Sequence, residues 1–129
     1  MTQPMGERLA SVLGEILPVE EESDGSLTVR HDGTFASLRV VAIAEDLDLV
    51  SLTQVLAWDL PLGNDIRDRV AAHAQQTLLG TVALVDKADG ADVILRYNFP
   101  GAGLTDDALR TLILMVLSTG ADVRRALIS

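Results

Sequence analysis

The chain has 129 residues and a formal charge of −9, enough for one ordinary domain and acidic enough to be repelled by nucleic-acid backbones and anionic membrane surfaces. Hydrophobic residues make up 48% but aromatics only 3%, so a core has to be assembled from Leu, Val, Ile and Ala. The absence of cysteine excludes disulfides, thiolate-held zinc and thiol catalysis, and fits a reducing cytoplasm.

Met5, Leu9, Val12, Leu13, Ile16 and Leu17 recur at helical spacing, and Pro18 stops the run, which predicts an amphipathic opening helix. Residues 20–25, Glu20-Glu21-Glu22-Ser23-Asp24-Gly25, read as a solvated acidic connector. Two strand-like runs then flank Asp32-Gly33, a type I′ hairpin signal. That turn pairs Val29 with Ala36 and Leu27 with Leu38. Leu27, Val29, Ala36, Leu38, Val40 and Ala42 therefore share one apolar face. The opposite face carries Thr28, Arg30, Phe35, Ser37, Arg39, Val41 and Ile43.

The third run, residues 47–60, admits two registers. A two-residue turn at Glu45-Asp46 puts Ser51 and Thr53 on the core face. A loop one residue longer puts Val50, Leu52 and Trp58 there, and the hydrophobic pattern favours it. Val41, Ile43, Leu49 and Val55 then project from the other face as candidate protein-binding residues, unless the chain's own helices cover them.

Residues 61–65, Pro61-Leu62-Gly63-Asn64-Asp65, end the strand and cap a second helix. That helix spaces Ile66, Val70, Ala74 and Leu78 by four and is expected to end at Gly80. A further hairpin is predicted around Asp89-Gly90, matching Leu84 with Leu95 and Val82 with Tyr97. The closing helix has Thr105 as N-cap, Asp106 and Asp107 against the helix dipole, and a Leu104–Leu109 staple. Its centre, residues 112–117, is apolar nearly all round and calls for cover on more than one side; together with the spare sheet face it predicts self-association as a two-fold homodimer. Gly120 is expected to end or bend it.

No reactive constellation assembles along this path, and no catalytic, cofactor or metal residue is assigned. His31 and His73 lack neighbouring ligands. Neither acidic turn has calcium-loop spacing: His31 stands where the first needs a bidentate Glu, and Arg96 stands there in the second. Pro100-Gly101-Ala102-Gly103 precedes a helix but lacks the phosphate-loop lysine, and Asp106 and Asp107 would repel an anion. No serine lies in a nucleophile elbow. The start, Met1-Thr2-Gln3-Pro4, lacks the basic-then-apolar pattern of a signal peptide. Residues 112–117, the longest apolar run, are too few to span a bilayer. The expectation is a single cytoplasmic domain over residues 1–129, with no nucleic-acid or membrane partner.

The order of elements and four stretches resemble the YbjN family, whose fold is that of the CesT-type chaperones of type III secretion. The stretches are GERLASVLGEIL (6–17), VLAWDLPLGNDIRDRVAAHAQQTLLGTVALV (55–85), VILRYNFP (93–100) and LTDDALRTLILMVL (104–117). The likeness spans nearly the whole chain. It departs where residues 75–80 stand in for the family's Asn-Leu-like helix end. The resemblance implies an α+β domain of order α-β-β-β-α-β-β-α, an antiparallel sheet with helices, often dimeric and without catalytic residues. It also implies a chaperone-like or regulatory role in binding a protein or peptide client. A small-molecule sensory domain with an apolar pocket between sheet and helices is the alternative, and a hydrolase or isomerase comes third.

Overall fold

A computed structural model describes residues 4–128, so residues 1–3, read above for targeting, lie outside the described residues. The elements are α1 (Met5–Gly14), β1 (Val19–Glu21), β2 (Leu27–His31), β3 (Thr34–Ala44), β4 (Leu47–Leu60), α2 (Asn64–Gln76), β5 (Thr81–Lys87), β6 (Gly90–Pro100) and α3 (Asp106–Ile128). The fold is α+β. All neighbouring strands are antiparallel, in one sheet of order β1-β2-β3-β4-β6-β5. The acidic connector is not entirely a loop, because Val19 pairs with Val29 and Glu21 with Leu27 to add a short edge strand.

Strand alternation places the core. Leu27, Val29, Ala36, Leu38, Val50, Leu52, Val93 and Leu95 point to one face and are buried there with Leu9, Leu13, Leu109, Ile113 and Leu117 from the helices. Asp32 and Gly33 both have positive φ, +45° and +80°, as a type I′ turn requires, and Leu38 pairs with Leu27 as the sequence implies.

The offset between β3 and β4 is the one the apolar pattern favours, with Leu38 opposite Leu52. A longer loop does not produce it. Ala44 faces Leu47 and Ala42 faces Asp48, so Ile43 is a bulged extra residue above a two-residue turn. Further along β4, irregularities between Val55 and Ala57 and between Ala57 and Leu60 break the alternation. Leu56 and Ala57 are both buried, and Trp58 emerges 41% exposed instead of entering the core as its parity predicted.

The β5–β6 hairpin is shifted by two residues from the expected register. Val82 faces Leu95, Leu84 faces Val93, and the turn is Ala88-Asp89. Gly90 is already a strand residue, at φ +149°, and a Cβ there would stand 2.7 Å from the Leu60 carbonyl oxygen. A shift of two keeps every side chain on its face, so the predicted apolar face survives.

The helices differ from expectation at their ends. α1 stops at Gly14 and leaves Ile16 40% exposed. α2 starts after Gly63 with no side-chain cap from Asn64 or Asp65 and stops at Gln76, so Leu78 lies outside it and is 91% exposed. α3 begins as predicted, with Ala108 N–H donating to Thr105 Oγ1 at 3.1 Å. It runs through Gly120 instead of ending there. Ile113, Val116 and Leu117 are buried, and α3 packs against α1 and α2 as well as the sheet, so residues 112–117 have cover on more than one side while Met115 is left 52% exposed.

Candidate protein-binding sheet face

The helices cover one face of the sheet, and the other is open. Pairing registers arrange the open face in rows across the strands. Arg30, Phe35, Val55, Ile94 and Ala83 form an apolar row headed by an arginine. The next row is polar throughout: Thr28, Ser37, Thr53, Arg96 and Thr81. Beside it lie Arg39, Ser51 and Asn98, and then a second apolar row of Val41, Leu49 and Pro100.

The four residues singled out from sequence fall at the two ends of this face. Val41 pairs with Leu49, 40% exposed and half-buried respectively, and Ile43 stands next to them on its bulge, 53% exposed. Val55 belongs to the other apolar row, between Phe35 and Ile94, and is half-buried by them. The helices cover none of these four. The structure therefore separates them into two apolar patches divided by polar rows, where the sequence suggested one continuous spare face.

The patch around Val55 is the more developed. Phe35 is 40% exposed, and the Trp58 ring meets it edge-on, with centroids 5.7 Å apart and planes at 71°. Arg30 places its guanidinium carbon 5.2 Å from the Phe35 centroid. Phe35 was legible as an outward residue from hairpin alternation. Trp58 was not, because no residue type announces the β4 irregularities. Ile94 was recoverable from strand parity once β6 was placed beside β4.

At the other patch, Arg39 pairs with Asp24 at 3.2 Å, both side chains well exposed. The Ser26 hydroxyl, followed by the Ser26 N–H, donates to Asp24 and holds its carboxyl below the ordinary carboxylate range. An open cleft of about 500 Å³ beside this pair is lined by Asp24, Ser26, Arg39, Val40 and Val41, a mixed surface. The space between sheet and helices, where an apolar pocket was the alternative expectation, is occupied by Leu9, Leu13, Leu38, Leu52, Leu109, Ile113 and Leu117, each no more than 1% exposed.

His31 is half-buried beside Asp32, and His73 lies on α2 near its end. Among the described residues no three His, Asp or Glu side chains are grouped so as to hold a metal ion. Among the described residues no helix is long and apolar enough to cross a membrane.

No family model matches the chain, and no curated protein sequence matches it. Among solved structures, the chain is similar to YbjN of E. coli, described as a candidate transcription regulator. The two are 12% identical, and the match covers 94% of this chain and 89% of that one at a TM-score of 0.64. At that identity the likeness is one of fold. It bears out the YbjN-like architecture that the order of elements implied, and the core described above is the physical content of the agreement.

Proposed function

We propose that the protein is a non-enzymatic binding domain, chaperone-like or regulatory, acting in the cytoplasm, that takes an extended segment of another protein on its open sheet face. One observation carries this reading. Phe35, Trp58, Val41 and Ile43, each at least 40% exposed, stand on or beside a face that no helix covers, in a chain with few aromatic residues to spend on solvent. The fold likeness to a candidate regulator agrees with it. The two apolar patches, separated by hydroxyl-bearing rows, suit a partner that alternates apolar anchors with hydrogen-bonding groups.

Val41→Asp, Val55→Asp and Leu52→Asp test the reading. Val41 and Val55 face outward, so both variants are expected to melt close to the wild type by circular dichroism. Leu52 is fully buried, and its Asp variant is expected to unfold. Partners captured from the native host by the wild type should be lost from the two outward variants. Trp58 is the single tryptophan, so adding a captured partner should shift its emission. Unchanged capture by folded Val41→Asp and Val55→Asp would refute the reading, and unfolding of both would return these residues to the core.

A further inference from the structure

The open face differs from the rest of the surface in its charge. Among the described residues, three Lys or Arg side chains form no ion pair: Arg30, Arg96 and Arg124. Arg124 instead donates to the Leu56 carbonyl at 2.8 Å. Arg30 and Arg96 both stand exposed on the open face, where Arg30 rests on the Phe35 ring. In a chain with 19 acidic and 10 basic residues, cations are the scarcer charge, yet here two are left without a carboxylate. Arg39 is a third arginine on this face, in its exposed pair with Asp24. The rows that these arginines share contain no Asp or Glu. Acidic residues lie at the margins: Glu20 opposite Thr28 on β1, Glu22 accepting the Thr28 hydroxyl at 2.9 Å, and Asp92 paired with Lys87 at 2.9 Å.

The arginines also have a definite spacing. Along β4 the open face reads Val55, Thr53, Ser51, Leu49: apolar, hydroxyl, hydroxyl, apolar. Arg96 on β6 stands beside Thr53, and Arg39 on β3 stands beside Ser51. The two arginines therefore flank β4 from opposite sides, about 10 Å apart across the strands, and the whole run from Val55 to Leu49 is about 20 Å long. A bound chain in extended form has the same rise per residue, so its alternate side chains fall on successive rows. Asp24 does not hold Arg39 back, because its carboxylate also accepts the Ser26 hydroxyl at 2.6 Å and the Ser26 N–H at 3.0 Å.

We propose that the open face takes an acidic client: an extended protein segment lying along β4, with apolar residues six positions apart over Val55 and Leu49, and Asp or Glu at the two alternate positions between them, against Arg96 and Arg39. Planar guanidinium groups suit carboxylates, and the hydroxyls of Thr53 and Ser51 can donate to the same oxygens. Arg30 adds positive charge at the Phe35 end. A nucleic-acid strand fits less well, because it would run past this patch onto Glu20 and Glu22 and meet the net charge of −9. The inference rests on the binding-face reading above and adds to it the sign and spacing of the partner's charge.

Three end-blocked, fluorescently labelled peptides test it: GLSESESLG, its neutral counterpart GLSQSQSLG and its basic counterpart GLSKSKSLG. By fluorescence anisotropy at low ionic strength, the acidic peptide should bind about tenfold more tightly than the neutral one, and the basic peptide should bind no more tightly than the neutral one. The advantage should shrink as salt is added. Arg96 is exposed and unpaired, so Arg96→Gln and Arg96→Glu should melt with the wild type. Arg96→Gln should lose part of the acidic preference, and Arg96→Glu should reverse it in favour of the basic peptide. Equal binding of the acidic and neutral peptides by the wild type would overturn the charge inference and leave the binding-face reading standing. Binding of none of the three would also overturn it, while the binding-face reading is decided separately by capture with Val41→Asp and Val55→Asp. An acidic preference unchanged in both Arg96 variants, or tighter binding of a short labelled single-stranded oligonucleotide than of the acidic peptide, would each overturn it as well.

Discussion

Gln54 is a polar side chain at the centre of an apolar core, fully buried on β4. Its Nε2 donates to Thr34 Oγ1 at 2.8 Å and to the Leu117 carbonyl at 3.1 Å, and Thr34 Oγ1 in turn donates to the His31 carbonyl at 2.6 Å. Among the described residues Oε1 has no hydrogen-bond partner, and it lies against Gly120. A methyl at Gly120 would overlap that oxygen. This is why α3 carries a glycine it does not need for a bend or an end. Gly120→Ala is therefore expected to destabilise by about 1–3 kcal/mol through overpacking, despite the better helix propensity of alanine. Adding Gln54→Ala removes the overlap, so the double variant should be less destabilised than the sum of the singles, as denaturant titration of all four proteins would show. Equal additivity would mean the contact is unimportant.

Three charged residues at the β4–β5–β6 corner set a pH dependence. Lys87 bonds to Asp59 and, at 2.9 Å, to Asp92, and Asp92 also accepts the Asp59 N–H at 3.0 Å. The Lys87 hydrogen bond first, and the Asp59 N–H second, hold the Asp92 carboxyl below its ordinary range. Asp59, then Asp92, hold the Lys87 ammonium above its ordinary range. A carboxyl lowered on folding contributes stability that is whole above the ordinary carboxylate range and is lost as pH falls through the lowered value. A raised ammonium contributes stability that is whole below the ordinary lysine range and is lost as pH rises through the raised value. Asp92→Asn should therefore melt below the wild type at neutral pH. The gap should close as the solution is made strongly acid, and a gap independent of pH would show that the carboxylate charge is not involved.

Among the elements, α1 and α3 are joined by a clamp. Arg8, with a side chain only 16% exposed, pairs with Asp106 at 2.7 Å, donates to the Gly101 carbonyl at 3.2 Å, and also donates to the Leu104 carbonyl. Arg110 returns the tie from α3 to Glu15 at 2.7 Å. Arg8→Met keeps the aliphatic stem and strands two carbonyls and a carboxylate, so about 1–3 kcal/mol of destabilisation is expected by denaturant unfolding. Arg39→Met breaks a pair whose side chains are 59% and 58% exposed, and should cost no more than about 1 kcal/mol. Equal losses for the two would mean that burial does not distinguish these contacts. The strands teach a different lesson at this scale. Ile43 and the Val55–Leu60 stretch each change how the chain counts along a strand, and a change of one residue exchanges the faces.

For the whole molecule, the core of the described residues is built from aliphatic side chains, with Met5 and Phe99, on one sheet face and three helices, around the buried Gln54–Thr34 pair. Folding is accordingly expected to be indifferent to chelators, the melting temperature staying within about 5 °C, which corresponds to about 1 kcal/mol for a domain of this size. A larger drop with chelator would expose a metal requirement. The sequence by itself determined the element order apart from the short edge strand β1, the two faces of the β2–β3 hairpin, the Thr105 cap, the side of β4 that carries Val50 and Leu52 inward, and the outward direction of Val41, Leu49 and Val55, because local periodicity and turn chemistry act over a few residues. Only the tertiary structure decided that Trp58 joins Phe35 on the open face, that Gly90 is spent on contact with Leu60 and not on the turn, that Leu78 is left outside α2, and that β1 and β5 form the edges of the sheet. Each of those outcomes depends on a neighbouring strand or helix distant in the chain, and bulges, close backbone approaches and sheet edges exist only once such neighbours are in place.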